Sequence, residues 1–146
     1  MSELIQASHI QLHERVTDWE AAIRLAAQPL LEAGYFEQTY IDAMINSVHE
    51  MGPYIVIAPE IAIAHARPSE DVHQVGLSLL KLDEHINFSE TGRYATLIFV
   101  LSAVDKAAHL EILRNLAMRL SDTQVVEALM AANSKEEIKT LLEERD

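Results

Sequence analysis

The hydrophobic pattern of this chain changes period twice, and that change limits its folds more than any other feature. Two segments before Gly52 repeat at helical spacing, short β-branched runs follow, and everything after Asp105 returns to helical spacing. Strands bracketed by helices on both sides in the sequence point to an α/β architecture rather than to a bundle or a sandwich.

In the first segment Trp19, Ala22, Ile23, Ala26, Ala27, Leu30 and Leu31 share one helix face, from the capping box Thr17-Asp18-Trp19-Glu20 to a stop at Gly34. Pro29 inside it predicts a kink or an early end near Gln28. A second helix follows Thr39 as N-cap, carries Ile41, Met44, Ile45 and Val48, and ends at Gly52-Pro53. Tyr54–Ala58 and Ile61–His65 then read as two strands around a tight Pro59-Glu60 connection. Val75–Leu82 and Thr96–Leu101 add two more, the latter apolar enough to be covered on both faces, and Ile10-Gln11-Leu12 supplies an edge strand. Beyond the N-cap Asp105, Leu110, Leu113, Leu116, Ala117 and Leu120 form a helical stripe, and boxes at Ser121-Asp122-Thr123-Gln124 and Ser134-Lys135-Glu136-Glu137 open two further helices. The expectation is one α/β domain over residues 1–146, with a mixed β-sheet of about four to five strands flanked by helices on both faces.

Charge and composition narrow the function. Eleven Lys+Arg against 23 Asp+Glu leave a net charge of −12, which repels phosphate backbones and anionic lipid, so neither nucleic acid nor a membrane surface is an expected partner. The absence of cysteine excludes disulfides and thiolate-ligated metals. The longest uncharged apolar stretch, Ala95–Val104, is about half of what a bilayer span requires. With no basic and apolar leader at Met1–Ile5, a cytoplasmic location without membrane insertion is expected.

Two of the seven histidines are placed for chemistry. His65 ends a strand in which Ile61, Ile63 and His65 share one face and Ala62, Ala64 and Ala66 the other, at the strand's C-terminal edge, where sites of open α/β sheets gather. Arg67 and Pro68 follow at once and hold a guanidinium near the ring. His109 lies four residues after the N-cap Asp105, in register with Leu113, Leu116 and Leu120, so it faces inward at the electropositive end of its helix. Two imidazoles, an arginine and a helix N-terminus suit a phosphoryl group rather than a cation.

At these residues the chain resembles a known family. Gly52-Pro53-Tyr54-Ile55-Val56-Ile57-Ala58-Pro59-Glu60-Ile61-Ala62-Ile63-Ala64-His65-Ala66-Arg67-Pro68 is similar to the active-site segment of enzyme IIA domains of the bacterial phosphoenolpyruvate:sugar phosphotransferase system, of mannitol/fructose type. The Gly-Pro-Tyr start and Ala-His-Ala-Arg-Pro end resemble its ascorbate-specific branch, and the likeness extends through Tyr40–Met44 and His109–Ala117. The resemblance implies that His65 accepts a phosphoryl group from the carrier protein HPr and passes it to a cysteine of enzyme IIB, which serves a membrane IIC permease. It implies further that His109 stabilises the phosphoryl group and that no cofactor takes part. Mannitol-type members carry Pro and Gly beside the phosphorylated histidine and an arginine in the preceding helix. Here Ala64, Ala66 and Val48-His49-Glu50 stand instead, which turns the likeness away from mannitol and leaves Arg67 to neutralise the phosphate.

Other readings of the same residues define what the structure must decide. Arg67 is alternatively a surface residue held by Glu70, Asp71 or Glu60, and His109 a packing residue. His9 and His13 have i, i+4 spacing but fall on a strand, His73 and His85 fall in polar loops, and no metal site is expected. Ile61, Ile63, Ala64 and Ala66 are expected to form a flat docking surface for HPr and IIB. The alternative to a transport role is a regulatory, nitrogen-type IIA relative that acts by binding targets.

Overall fold

The computed structural model describes residues 5–89 and 92–143. Strands β1 (Ile10–His13), β2 (Val56–Ala58), β3 (Glu60–Ala64), β4 (Gly76–Asn87) and β5 (Tyr94–Ser102) make one five-stranded sheet in the order β1-β4-β5-β3-β2. β1 runs parallel to β4 and β3 parallel to β5, while the β4–β5 and β2–β3 pairs are antiparallel. Helices α1 (Trp19–Glu32) and α2 (Gln38–Met51) cover one face, and α3 (Lys106–Leu120), α4 (Thr123–Ala131) and α5 (Lys135–Glu143) the other. The mixed sheet between two helical layers is the expected fold.

Strand period sorts the core into two halves. In β3, Ala62 and Ala64 pack with α1 and α2 while Ile61 and Ile63 pack with α3–α5; in β5, Ile98 and Val100 join the first layer and Leu97, Phe99 and Leu101 the second. With both faces covered, Leu97 through Leu101 are all fully buried, which is why that run needs no polar alternation. The hairpin joining β2 to β3 turns through Glu60 at φ 75°, a left-handed conformation normally left to Gly.

Several local expectations are corrected. The first cap is Asp18, whose Oδ1 accepts from the Ala21 N–H at 2.8 Å, one residue beyond the Thr17 box. Asp122 likewise caps α4 through the Gln124 N–H, and Ser121 ends α3. Thr39 lies inside α2, because its hydroxyl is drawn to Asp71 Oδ2 at 2.6 Å, and Glu37 stands at the N-cap. Pro29 neither ends nor shortens α1. It removes the donor for the Leu25 carbonyl one turn back, and Gln11 Nε2 on β1 donates to that carbonyl instead, at 2.6 Å. His85 is not in a loop: β4 continues past Leu82 to Asn87, and the His85 ring lies 4.8 Å from that of Tyr94 on β5. On α3 the inward face is Leu116 and Leu120, while Leu110 is 57% exposed and Ala117 also faces solvent.

Candidate functional site

Because β3 and β5 are adjacent and parallel, their C-terminal ends deliver two loops to one place on the rim of the sheet. His65 follows β3 directly, and β5 leads through Ser102–Asp105 into α3, whose first turn carries His109. The two imidazoles meet there with ring centroids 5.1 Å apart and planes inclined at 66°. Residues 44 positions apart in sequence are brought together by strand order alone.

The His65 ring is oriented by its own strand. Nδ1 lies 2.9 Å from the Ile63 carbonyl oxygen. A carbonyl only accepts, so in the neutral ring Nδ1 carries the proton and Nε2 presents its lone pair outward. Tyr54 closes one side, its ring edge-on at 5.6 Å and 85°. The imidazole is half-buried, reachable by a macromolecular partner and shielded at its back.

His109 is held inside its helix by the Asp105 cap, which takes the Ala108 N–H at 2.8 Å, while the His109 N–H closes the first helical bond to the Asp105 carbonyl. The amides of Lys106 and Ala107 have no acceptor among the described residues and lie at the positive end of α3. Burial lowers the His109 pKa below its usual value and the neighbouring His65 lowers it further, so the ring is neutral at neutral pH. A neutral imidazole and free amides are hydrogen-bond donors to an anion that bring no like charge to repel its counterpart.

Arg67 is exposed, two residues past His65, and makes no ion pair or hydrogen bond among the described residues. The pairing with Asp71 or Glu70 is not formed: Asp71 is engaged by Thr39 and its own backbone N–H by Ser69. Nor does Glu60 reach it, since Glu60 starts β3 and His65 follows its other end, roughly 16 Å away at strand rise. The guanidinium is thus an uncommitted cation on a residue two positions past His65. His9 is buried edge-on to Tyr35, His13 is bonded to Gln11, and His73 is paired with Glu37, all remote from this arrangement in their contacts. No three His, Cys, Asp or Glu side chains cluster as a metal site among the described residues.

The docking surface differs from expectation. Ile61, Ile63 and Ala64 are core residues, exposed by 3% or less. Large apolar side chains that do reach solvent include Tyr54, whose ring is edge-on to His65, and Val104 and Leu110 on either side of the first turn of α3. A strand buried on both faces cannot present its side chains to a partner, so the surface falls to the loops and to the outer side of α3.

Residues 3–145 match the sequence profile of the family described as phosphoenolpyruvate-dependent sugar phosphotransferase system, EIIA 2. The chain belongs to this family. It is a phosphoryl-carrying phosphotransferase component. It is 36% identical over 128 residues to an ascorbate-specific EIIA component of Mycoplasma pneumoniae, covering 87% of this chain and 80% of that one. It is 29% identical over 142 residues to a mannitol-specific cryptic phosphotransferase enzyme IIA component of Escherichia coli strain K12, covering 97% of both chains. Among solved structures it superposes with a TM-score of 0.85, at 26% identity and covering 97% of this chain and 98% of the other, on the mannitol enzyme IIA of Escherichia coli determined in complex with phosphorylated enzyme IIB. No helix among the described residues is long and apolar enough to cross a membrane.

Proposed function

We propose that this protein, acting as a single domain over residues 1–146 in the cytoplasm, accepts a phosphoryl group from phospho-HPr on Nε2 of His65 and delivers it to a cysteine of its enzyme IIB. The observation that carries this reading is the hydrogen bond from His65 Nδ1 to the Ile63 carbonyl, which leaves Nε2 as the nucleophile beside a second, neutral imidazole.

The Nε2 lone pair attacks phosphorus in line, the P–N bond to the donor histidine breaks, and the donor imidazole leaves with the bonding pair. The transition state is loose, so positioning and charge stabilisation supply most of the acceleration. As the Nε2–P bond forms, positive charge develops on the His65 ring, and the Ile63 carbonyl stabilises it at Nδ1–H. His109, the amides of Lys106 and Ala107, and Arg67 are the groups assigned to the phosphoryl oxygens. The cationic ring is a good leaving group, which keeps the phosphoryl group transferable to a thiolate.

Tyr54, Val104 and Leu110 give the partners an apolar ring around the site, and the net charge of −12 favours a basic partner face. Ascorbate or a related sugar is the proposed cargo of the system, supported by the ascorbate-specific relative and the Gly52-Pro53-Tyr54 and Ala64–Pro68 sequences. The same relative supports transport over the regulatory alternative. The test is a chase: protein phosphorylated by phosphoenolpyruvate, enzyme I and HPr, then repurified and mixed with the cognate IIB, loses its phosphoryl group as IIB gains one on cysteine. Retention of the group in the presence of folded, reduced IIB would overturn the proposal.

A further inference from the structure

The ends of β3 and β5 carry a feature that the phosphoryl-transfer reading does not use. Their parallel register runs through Ala64↔Val100. The Ile63 N–H points the other way, to Ile55 O at 2.9 Å on the β2 side, so by the alternation of a pleated strand Ala62, Ala64 and Ala66 direct their backbone groups toward β5. Carrying the register one step on, the next ladder bond would join the Ala66 N–H to the Leu101 carbonyl. That bond is replaced. The Tyr40 hydroxyl accepts from the Ala66 N–H at 3.2 Å and donates to Leu101 O at 2.7 Å, so one oxygen atom stands between the strands as a wedge.

The other polar group of the same peptide is held as well. The His65 carbonyl faces β2, which begins only at Val56, and Tyr54 Oη donates to it at 3.2 Å. Both groups of the peptide that leaves His65 therefore end on tyrosine hydroxyls. Burial pushes the Tyr40 hydroxyl up to about 12 and raises that of Tyr54, so both remain donors throughout the physiological range.

We infer that Tyr40 and Tyr54 are positioning residues that fix the 65–66 peptide, and that the Tyr40 hydroxyl sets the separation between the loops bearing His65 and His109. This rests on His65 as the phosphoryl acceptor. Neither tyrosine touches a reacting atom through its hydroxyl; each acts on the backbone that aims the imidazole. Without the Tyr40 oxygen, β3 and β5 either zip one step further or leave the Ala66 N–H and Leu101 carbonyl unpaired, and either outcome moves the two rings off their 5.1 Å approach.

The test uses the full chain with Tyr40→Phe and Tyr54→Phe, each keeping its ring. Single-turnover phosphoryl acceptance is measured against phospho-HPr concentration, together with melting curves and the NMR ring-to-ring contacts of His65 and His109. The expected result for Tyr40→Phe is a maximal rate lower by roughly 10-fold, since a loss of about one or two hydrogen bonds is worth that much. The half-saturating phospho-HPr concentration stays unchanged, and the His65–His109 contacts weaken. Tyr54→Phe loses one bond, for a decrease of roughly 3-fold. Wild-type rates in both variants, or a loss expressed only in half-saturation, would overturn the inference. If Tyr40→Phe does not fold, Tyr54→Phe decides it. A wild-type protein that takes no phosphoryl group on His65 overturns the proposed function instead, and that result is read before any variant is made.

Discussion

Phosphorylating His65 must change the proton affinity of His109, and the geometry sets the size of the change. In the unmodified protein, burial and then the neighbouring His65 hold the His109 pKa below its usual value. With Nδ1 still protonated, the phosphorylated ring carries a net charge of about −1, the phosphoryl dianion less the positive charge of the ring, at a ring separation of 5.1 Å. Two unit charges about 5 Å apart at an effective dielectric near 20 interact by about 3 kcal/mol. Both rings are half-exposed, and solvent and salt remove roughly half of that or more. What remains, about 1 kcal/mol of favourable interaction with a protonated ring, raises the His109 pKa on phosphorylation. The sign has a mechanistic consequence. Between the lowered pKa of the free form and the raised pKa of the phosphorylated form, acceptance of the phosphoryl group takes up a proton at His109, so acidification through that window favours the phosphorylated state. Histidine-labelled protein titrated by NMR, with and without a phosphoryl-donating system present, reads both values. An equal or lower His109 pKa in the phosphorylated protein would refute the placement of His109 beside the phosphoryl group.

Three substitutions test other parts of the account. His109→Ala should slow single-turnover acceptance by roughly 10- to 150-fold, the worth of one charge-assisted hydrogen bond, and His109→Gln should restore part of it; an unchanged rate with a lowered melting temperature would return His109 to packing. Glu60→Gly should stabilise the fold by about 1 kcal/mol, because it relieves a positive φ and removes a carboxylate whose Oε1 is buried without a partner. That is a rise of about 2–4 °C in melting temperature, and a fall would show that Glu60 makes a favourable contact. Gln11→Leu should cost about 1 kcal/mol in denaturant unfolding by orphaning the Leu25 carbonyl that Pro29 exposes, and no loss would mean that water takes over that carbonyl.

Much of the fold and the placement of both histidines were legible because they depend on local period. The alternation of Ile61, Ile63 and His65 against Ala62, Ala64 and Ala66 assigns each residue to a layer, and the structure keeps that assignment for the strand residues. Asp105 as N-cap puts His109 in the first turn of α3. What was not legible involves partners from distant elements or from the backbone. Nothing in residue types announces that the Ile63 carbonyl holds the His65 ring, or that Tyr40 spans 26 and 61 residues to reach Ala66 and Leu101. Pro29 read as a helix breaker because Gln11, which compensates it, lies on another strand. The caps slipped by one residue where Asp stood beside Thr or Ser, since either side chain can accept from the helix and only the geometry chooses. Adjacency to His65 in sequence places Ile61, Ile63 and Ala64 near the site but not at solvent, because the strand that carries them is covered on both faces.

The central claim is that Nε2 of His65 carries the phosphoryl group, and the most direct measurement identifies the modified nitrogen. The protein is incubated with phosphoenolpyruvate, enzyme I and HPr, and examined by intact mass and by NMR of labelled histidine. The account predicts one added phosphoryl group, acid-labile and alkali-stable, on Nε2 of His65, with Nδ1 still protonated and no modification in His65→Ala. An acid-stable phosphate, a phosphoryl group on Nδ1 or on His109, or a modified His65→Ala protein would contradict it.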